Sequence, residues 1–219
     1  MYEATRIPVL LRFYQRYLND GETARFITSV ATRYSLGTLE RMVVGGDLHH
    51  RRAAALALGL LGDSNSFEVL GPLLRHEDRK LRLVVDDAVR SIATREGNIA
   101  HRQQLERIVR SNDCGAFERS IELASDLIEG GDASAEVYHQ RSLALFQMDS
   151  IECAIDDCRQ VLKRNEFHYG AMVGLGHCHL ELGDLMEALN WFKKSLAVFP
   201  DLEPVRVQVK RLERAIQEL

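Results

Sequence analysis

The fold class this chain predicts is an all-α superhelix, a solenoid of stacked helical hairpins closed by a C-terminal capping helix. Three observations predict it. The C-terminal half overlays itself at a shift of 34 residues, the N-terminal half overlays itself at 31, and only 4 prolines in 219 residues leave long helices free to form. Hairpins of this length bury an apolar face only by stacking on their neighbours, so the architecture grows along one dimension.

At the 34-residue shift Ala154 falls on Ala188, Ile155 on Leu189, Cys158 on Phe192, Val161 on Ser195 and Leu162 on Leu196. Upstream in the same units Tyr138 falls on Met172, Ser142 on Gly176 and Leu145 on His179. One more shift back brings Ser120, Ile121, Ala124, Leu127 and Ile128 into register. Each unit presents a bulky residue followed by a small one on its first helix, which lets two helices approach closely. A turn comes next, ELGD at 181–184 and QMDS at 147–150, then a second helix with small and aromatic residues on one stripe. Pro200 ends the last of these helices, since it has no N–H to give the preceding turn.

The segment LGHCHLELGDLMEALNWFKKSLAVFP resembles the tetratricopeptide (TPR) helix–turn–helix in its Leu-Gly, Gly-Asp, Ala-Leu, Phe and terminal Pro. Residues 169–202 carry the resemblance fully. In 135–168, Arg141 stands where that family has Leu and Glu166 where it has Pro; in 101–134 only the second helix matches.

At the 31-residue shift Leu39 falls on Leu70, Met42 on Leu73, Val43 on Leu74, Asp47 on Asp78, Arg51 on Arg82, Ala54 on Val85, Leu58 on Val89 and Leu61 on Ile92. The stretch HRRAAALALGLLGD (50–63) resembles the second helix of a short HEAT repeat of the phycobilisome-lyase type. A degenerate earlier unit is expected over 5–34, with Leu11, Ile27 and Val30 in register. The expected organisation is HEAT-like repeats over 1–97, three TPR-like hairpins over 98–202 (101–134, 135–168 and 169–202), and a capping helix over 203–219. Gly97 and Asn98 are helix-stop residues at the change of period. Charge changes there too, from a net of +2 before residue 98 to −6 after it. In the cap, Asp201 is the expected N-cap with Pro204 in the first turn, and Val205, Val209, Leu212, Ile216 and Leu219 form one stripe.

A net charge of −4 offers no whole-chain attraction to nucleic acid or to an anionic membrane. No segment reaches the roughly 20 apolar residues of a membrane helix, and the apolar run Ile7–Leu11 is too short for a secretory leader. Four cysteines without a CxxC pair fit a reduced, cytoplasmic protein.

Two clusters invite a metal or anion reading. In His177-Cys178-His179 the two imidazoles point about 200° apart on a helix, so they cannot share an ion. Packing is the expected role. In His49-His50-Arg51-Arg52, the resemblance implies that Arg51 and Arg82 join an inter-repeat ladder with Asp47 and Asp78. The adjacent carboxylates Asp86-Asp87 and Asp156-Asp157 read as solvated faces. GxSxG, a Walker loop, GxGxxG and HExxH are all absent, so no catalytic residue, cofactor or metal is expected.

The TPR resemblance implies that the first helix of each hairpin lines a concave groove that holds a ligand. Carried across residue by residue, the groove comprises Leu105 and Val109, then His139, Leu143, Phe146 and Gln147, then Val173, His177, Leu180 and Glu181. Relatives that grip a terminal carboxylate use Lys, Arg and Asn here. This chain has Leu105, Val109, Gln140, Gly170 and Gly174, so a protein or peptide segment that is apolar and extended, or an amphipathic helix, is the expected guest. The expected function is a non-enzymatic interaction scaffold. Alternatives are a HEAT-type chromophore lyase or metallocentre maturation factor, and a structural homo-oligomer whose groove is self-occupied. The absence of cysteine from residues 1–97 counts against the lyase.

Overall fold

A computed structural model describes residues 8–131 and 133–218. Among these residues there are thirteen α-helices and no strand. Ile7, Asp132 and Leu219 of the segments above lie outside the described residues. The chain forms two compact units, Met1–Ile92 and Ala93–Leu219.

In the first unit α1 (Val9–Asp20) and α2 (Thr23–Ala31) both pack on α4 (Leu48–Leu61), which also pairs with α3 (Leu36–Gly45). Leu10, Phe26 and Val30 are the buried positions of α1 and α2. Leu11 and Ile27 are only half-buried, so the core register there runs one residue earlier than the expected one. Ser35 and Asp47 cap α3 and α4, accepting from Thr38 N and from His49 N and His50 N respectively.

The 31-residue correspondence is physical: Leu39 and Leu70, Val43 and Leu74, and Ala54 and Val85 are all fully buried. Yet the first helix of the second 31-residue repeat is broken. Only α5 (Phe67–Leu70) is α-helical, and Gly71–Arg75 tightens into a 3₁₀ turn with Pro72 at its start. Proline cannot donate a helix-interior bond, so Pro72 interrupts the helix that the pattern alone would continue. After it, α6 (Arg79–Arg95) buries Leu81, Val85, Ala88 and Ile92. Gly59 lets α4 approach α6, since a Cβ there would lie 2.7 Å from the Ala88 Cα.

The second unit contains three hairpins and a terminal helix. They are α7 (Ile99–Asp113) with α8 (Phe117–Glu129), α9 (Ala135–Gln147) with α10 (Ile151–Arg164), α11 (Tyr169–Glu181) with α12 (Leu185–Val198), and then α13 (Glu203–Gln217). Their turns repeat atom for atom at 34 residues. Gly115, Asp149 and Gly183 all sit at positive φ, +72°, +57° and +76°. Ala116 N, Ser150 N and Asp184 N donate to the carbonyls of Ser111, Leu145 and His179 at 2.8, 2.9 and 2.9 Å. A left-handed residue costs an L-amino acid energy, and Asp is among the few that tolerate it. That is how QMDS makes the turn ELGD makes with glycine.

Small side chains set the spacing within each hairpin. Ser120, Ala154 and Ala188, one per hairpin, are fully buried. A Cβ on Gly176 would come within 2.5 Å of the Phe192 ring, so α11 and α12 meet ring against backbone. First helices pack on one another, α7 on α9 and α9 on α11, whereas α8 and α10 pack on the first helix of the next hairpin. The first helices therefore form one continuous layer. Val205, Val209 and Leu212 of α13 are buried against Ala188, Leu189 and Phe192 of α12. Leu202 rather than Asp201 is the N-cap of α13, and Pro204 stands in its first turn. Pro204 has no N–H to be capped, so the helix can begin without a side-chain acceptor.

Candidate partner-binding strip

Position 143 of α9 and position 177 of α11 are one repeat apart, and both are exposed. Leu143 is 42% exposed. His177 is exposed on its outer edge, while its inner edge meets Phe192 edge-to-face at 5.1 Å and Phe146 at 6.4 Å. Burial of that inner edge lowers the His177 pKa, against the pull of Glu181. Phe146 is half-buried, and Gln147 and Glu181 are exposed beside it. Of these five, Phe146 and His177 meet each other, and His177 also rests on Phe192.

The other expected groove residues lie deeper. Leu105 is 3% exposed and shares a core with Ile108, Leu123, Ala124 and Val137, with Val109 packed against it. Val173 and Leu180 pack against the α12–α13 core. A guest could reach little of Leu105, and α13 draws Val173 and Leu180 into the core.

His139 is half-buried beside a polar network that joins residues of three hairpins. Asn112 Nδ2 donates to the Gln140 carbonyl and to Gln140 Oε1, both at 2.9 Å, and Gln140 Nε2 donates to Glu136 Oε1 at 2.8 Å. His168 caps α11 by accepting from Ala171 N at 3.0 Å through Nδ1, which leaves its Nε2 3.7 Å from Glu136 Oε2. The His139 ring meets the His168 ring edge-on at 4.5 Å, and Gly170 leaves room for both. Beyond His139 itself this network was not legible in the sequence, because its members come from α7, α9 and the cap of α11.

Burial holds the His139 imidazole down to about 4, with the neighbouring His168 acting in the same direction and Glu136 against it. Burial alone would raise the Glu136 carboxyl; His168, His139 and Gln140 together bring it to about 2. For both groups the folded value lies below the unfolded one, so the folded state takes up protons less readily than the unfolded chain. His139 contributes stability that is whole above about pH 6.5 and lost as pH falls toward 4; Glu136 loses its share from about 4.5 downward. The urea midpoint is expected to fall between pH 6.5 and 4. In His139→Phe the drop across that window should be clearly smaller, and an equal drop in the variant would remove His139 as its source.

The clusters that invite a chemical reading are structural. Cys178 is buried, and burial pushes its thiol up to about 12 and that of Cys158 to about 11, which makes both unreactive. His179 packs at 15% side-chain exposure, 3.8 Å from Asp184. Among the described residues no group of three His, Cys, Asp or Glu side chains could hold a metal.

The expected arginine ladder is shifted by one residue. Arg52, not Arg51, forks onto Asp78, with contacts of 2.7 and 2.8 Å. Arg51 instead bonds the carbonyls of Gly46 and Val44, and Arg82 those of His76 and Glu77. Asp47 serves as the α4 cap and meets His50 Nδ1 at 3.0 Å. One residue is about 100° of helix, enough to exchange the roles of adjacent arginines. The carboxylate pairs also split. Asp156 is exposed, but Asp157 is buried and accepts two bonds from Arg141 at 2.7 and 2.8 Å; Asp86 is buried beside Arg90 while Asp87 faces solvent.

A tetratricopeptide repeat family model matches residues 169–202, the α11–α12 hairpin with the residues that lead into α13. The chain is therefore an all-α helical-repeat protein that contains a tetratricopeptide repeat, a fold whose repeats are typically non-catalytic and serve protein–protein interaction. No helix among the described residues is long and apolar enough to cross a membrane.

Proposed function

We propose that this chain is a non-enzymatic scaffold that holds a segment of a partner protein on the inner face of its second and third hairpins. In this reading the HEAT-like repeats before Gly97 and the helix after residue 202 flank a binding module of three TPR-like hairpins. The observation that carries it is that Leu143 and His177, one repeat apart, are both exposed, with His177 set between Phe146 and the buried Phe192. An apolar strip with polar ends suits an extended apolar segment or one face of an amphipathic helix. Aromatic rings held in place lose little entropy on contact.

Leu143 and His177 are exposed enough to be changed without disturbing the core, which is untrue of Leu180. Affinity purification with the wild type and with Leu143→Asp/His177→Asp is the test, with far-UV circular dichroism to confirm folding. Partners recovered by the wild type should be lost from the double variant. They should be retained by Glu152→Lys, on an exposed position of α10. Equal recovery by the folded double variant would refute the strip.

A further inference from the structure

The first hairpin carries an open cavity of about 350 Å³ at the α7–α8 turn, lined by Arg107, Arg110, Ser111, Cys114, Arg119 and Leu123, with Ala116 at its edge. Three exposed arginines line it and none of the lining residues is acidic. Arg119 pairs with Glu122 at 2.8 Å, but both side chains are more than half exposed, so that pair is weak. Arg107 bonds only a neutral acceptor, Gln104 Oε1 at 3.1 Å. Arg110 has no side-chain hydrogen bond or ion pair, and Glu106 and Asp113 on the same helix are not paired with it.

At two of these positions a sibling hairpin uses a carboxylate, Asp157 in the middle hairpin and Asp184 in the last. Arg141 stands one repeat after Arg107, and there the guanidinium is neutralised by Asp157 through two bonds of 2.7 and 2.8 Å. The residue one repeat before Asp157 is Leu123, which lines the cavity. Asp184 caps α12 by accepting from Glu187 N at 3.1 Å. The residue two repeats before Asp184 is Ala116, which leaves the α8 terminus without a side-chain cap. The carboxylate that neutralises Arg141 in the middle hairpin and the one that caps α12 in the last are thus both replaced by apolar residues at this cavity, while Arg107, the counterpart of Arg141, remains.

We infer that this cavity is a second docking site, separate from the inner strip, for an acidic protein segment that supplies two carboxylates. One would fork onto Arg107 and Arg110, as Asp157 does onto Arg141. The other would meet Arg119 and the uncapped N–H groups of α8, whose dipole favours a negative charge. Both contacts are charge-assisted.

The test uses fluorescein-labelled hexaglutamate and the full chain, read by fluorescence anisotropy at low salt. Arg107→Gln/Arg110→Gln is expected to weaken binding about tenfold or more. Arg159→Gln/Lys163→Gln removes the same charge from α10 and should leave binding within about twofold, since only distant, screened charge is lost. Ala116→Asp installs the sibling cap on the surface; it should raise the melting temperature and weaken the probe several-fold by occupying the α8 terminus. Equal losses in the two charge-matched variants, or unchanged binding by Ala116→Asp, would overturn the site. At matched ionic strength, succinate should displace the probe at lower concentration than inorganic phosphate. The reverse order would overturn a carboxylate guest.

Discussion

Phe192→Ala is expected to destabilise the chain by about 3–5 kcal/mol, seen as a large fall in the urea midpoint. The ring is fully buried, at the centre of a core formed with Ala188, Leu189, Val205, Val209 and Leu212. It is also the surface on which α11 rests, because glycine at 176 removes the only side chain that could stand between them. Truncation loses the transfer energy of the ring and leaves a cavity between three helices. The cavity cannot easily close, since Gly176 has no side chain to move in and the helix backbones are held by their own bonds. The same substitution removes the edge-to-face support of His177, so any binding through the strip should fall even where the variant still folds. A loss under about 1 kcal/mol would mean that α11 and α12 do not pack in this way.

The second large effect is expected at Asp157. Its carboxylate is 5% exposed and takes both bonds of the Arg141 fork, while Arg141 also reaches Ser125 Oγ at 3.0 Å. Asp157→Ala leaves a guanidinium at 21% side-chain exposure with a single neutral partner and should cost about 3–5 kcal/mol. The double replacement Arg141→Leu/Asp157→Leu should recover most of that loss. Buried pairs exchange for apolar side chains at little cost, and the siblings already carry Leu175 and Leu123 in these registers. A double variant as unstable as Asp157→Ala would show that the pair shapes the hairpin beyond its charge.

The 34-residue spacing was legible because backbone geometry imposes it: the turn needs a left-handed residue, and glycine or Asp stands there in all three hairpins. Burial of Ser120, Ala154 and Ala188 was legible for the same reason, since only small side chains fit between paired helices. Which member of an adjacent pair faces inward was not. Asp156 and Asp157, like Arg51 and Arg52, have the same composition and differ by about 100° of rotation, and the partner that decides between them lies across a hairpin or beyond a turn. Position in the repeat also does not settle accessibility. Val109 and Leu143 occupy the same repeat position, yet Val109 is half-buried against the Leu105–Ile108–Leu123 core while Leu143 is exposed.

The strip is tested most directly by replacing Leu143, His177 or Glu152 in turn with a photo-crosslinking phenylalanine and mapping the adducts by mass spectrometry. Positions 143 and 177 should both capture one and the same partner segment, and position 152 should capture none. Adducts from 152 alone, or from neither inner position while the partner still copurifies, would contradict binding at the inner face.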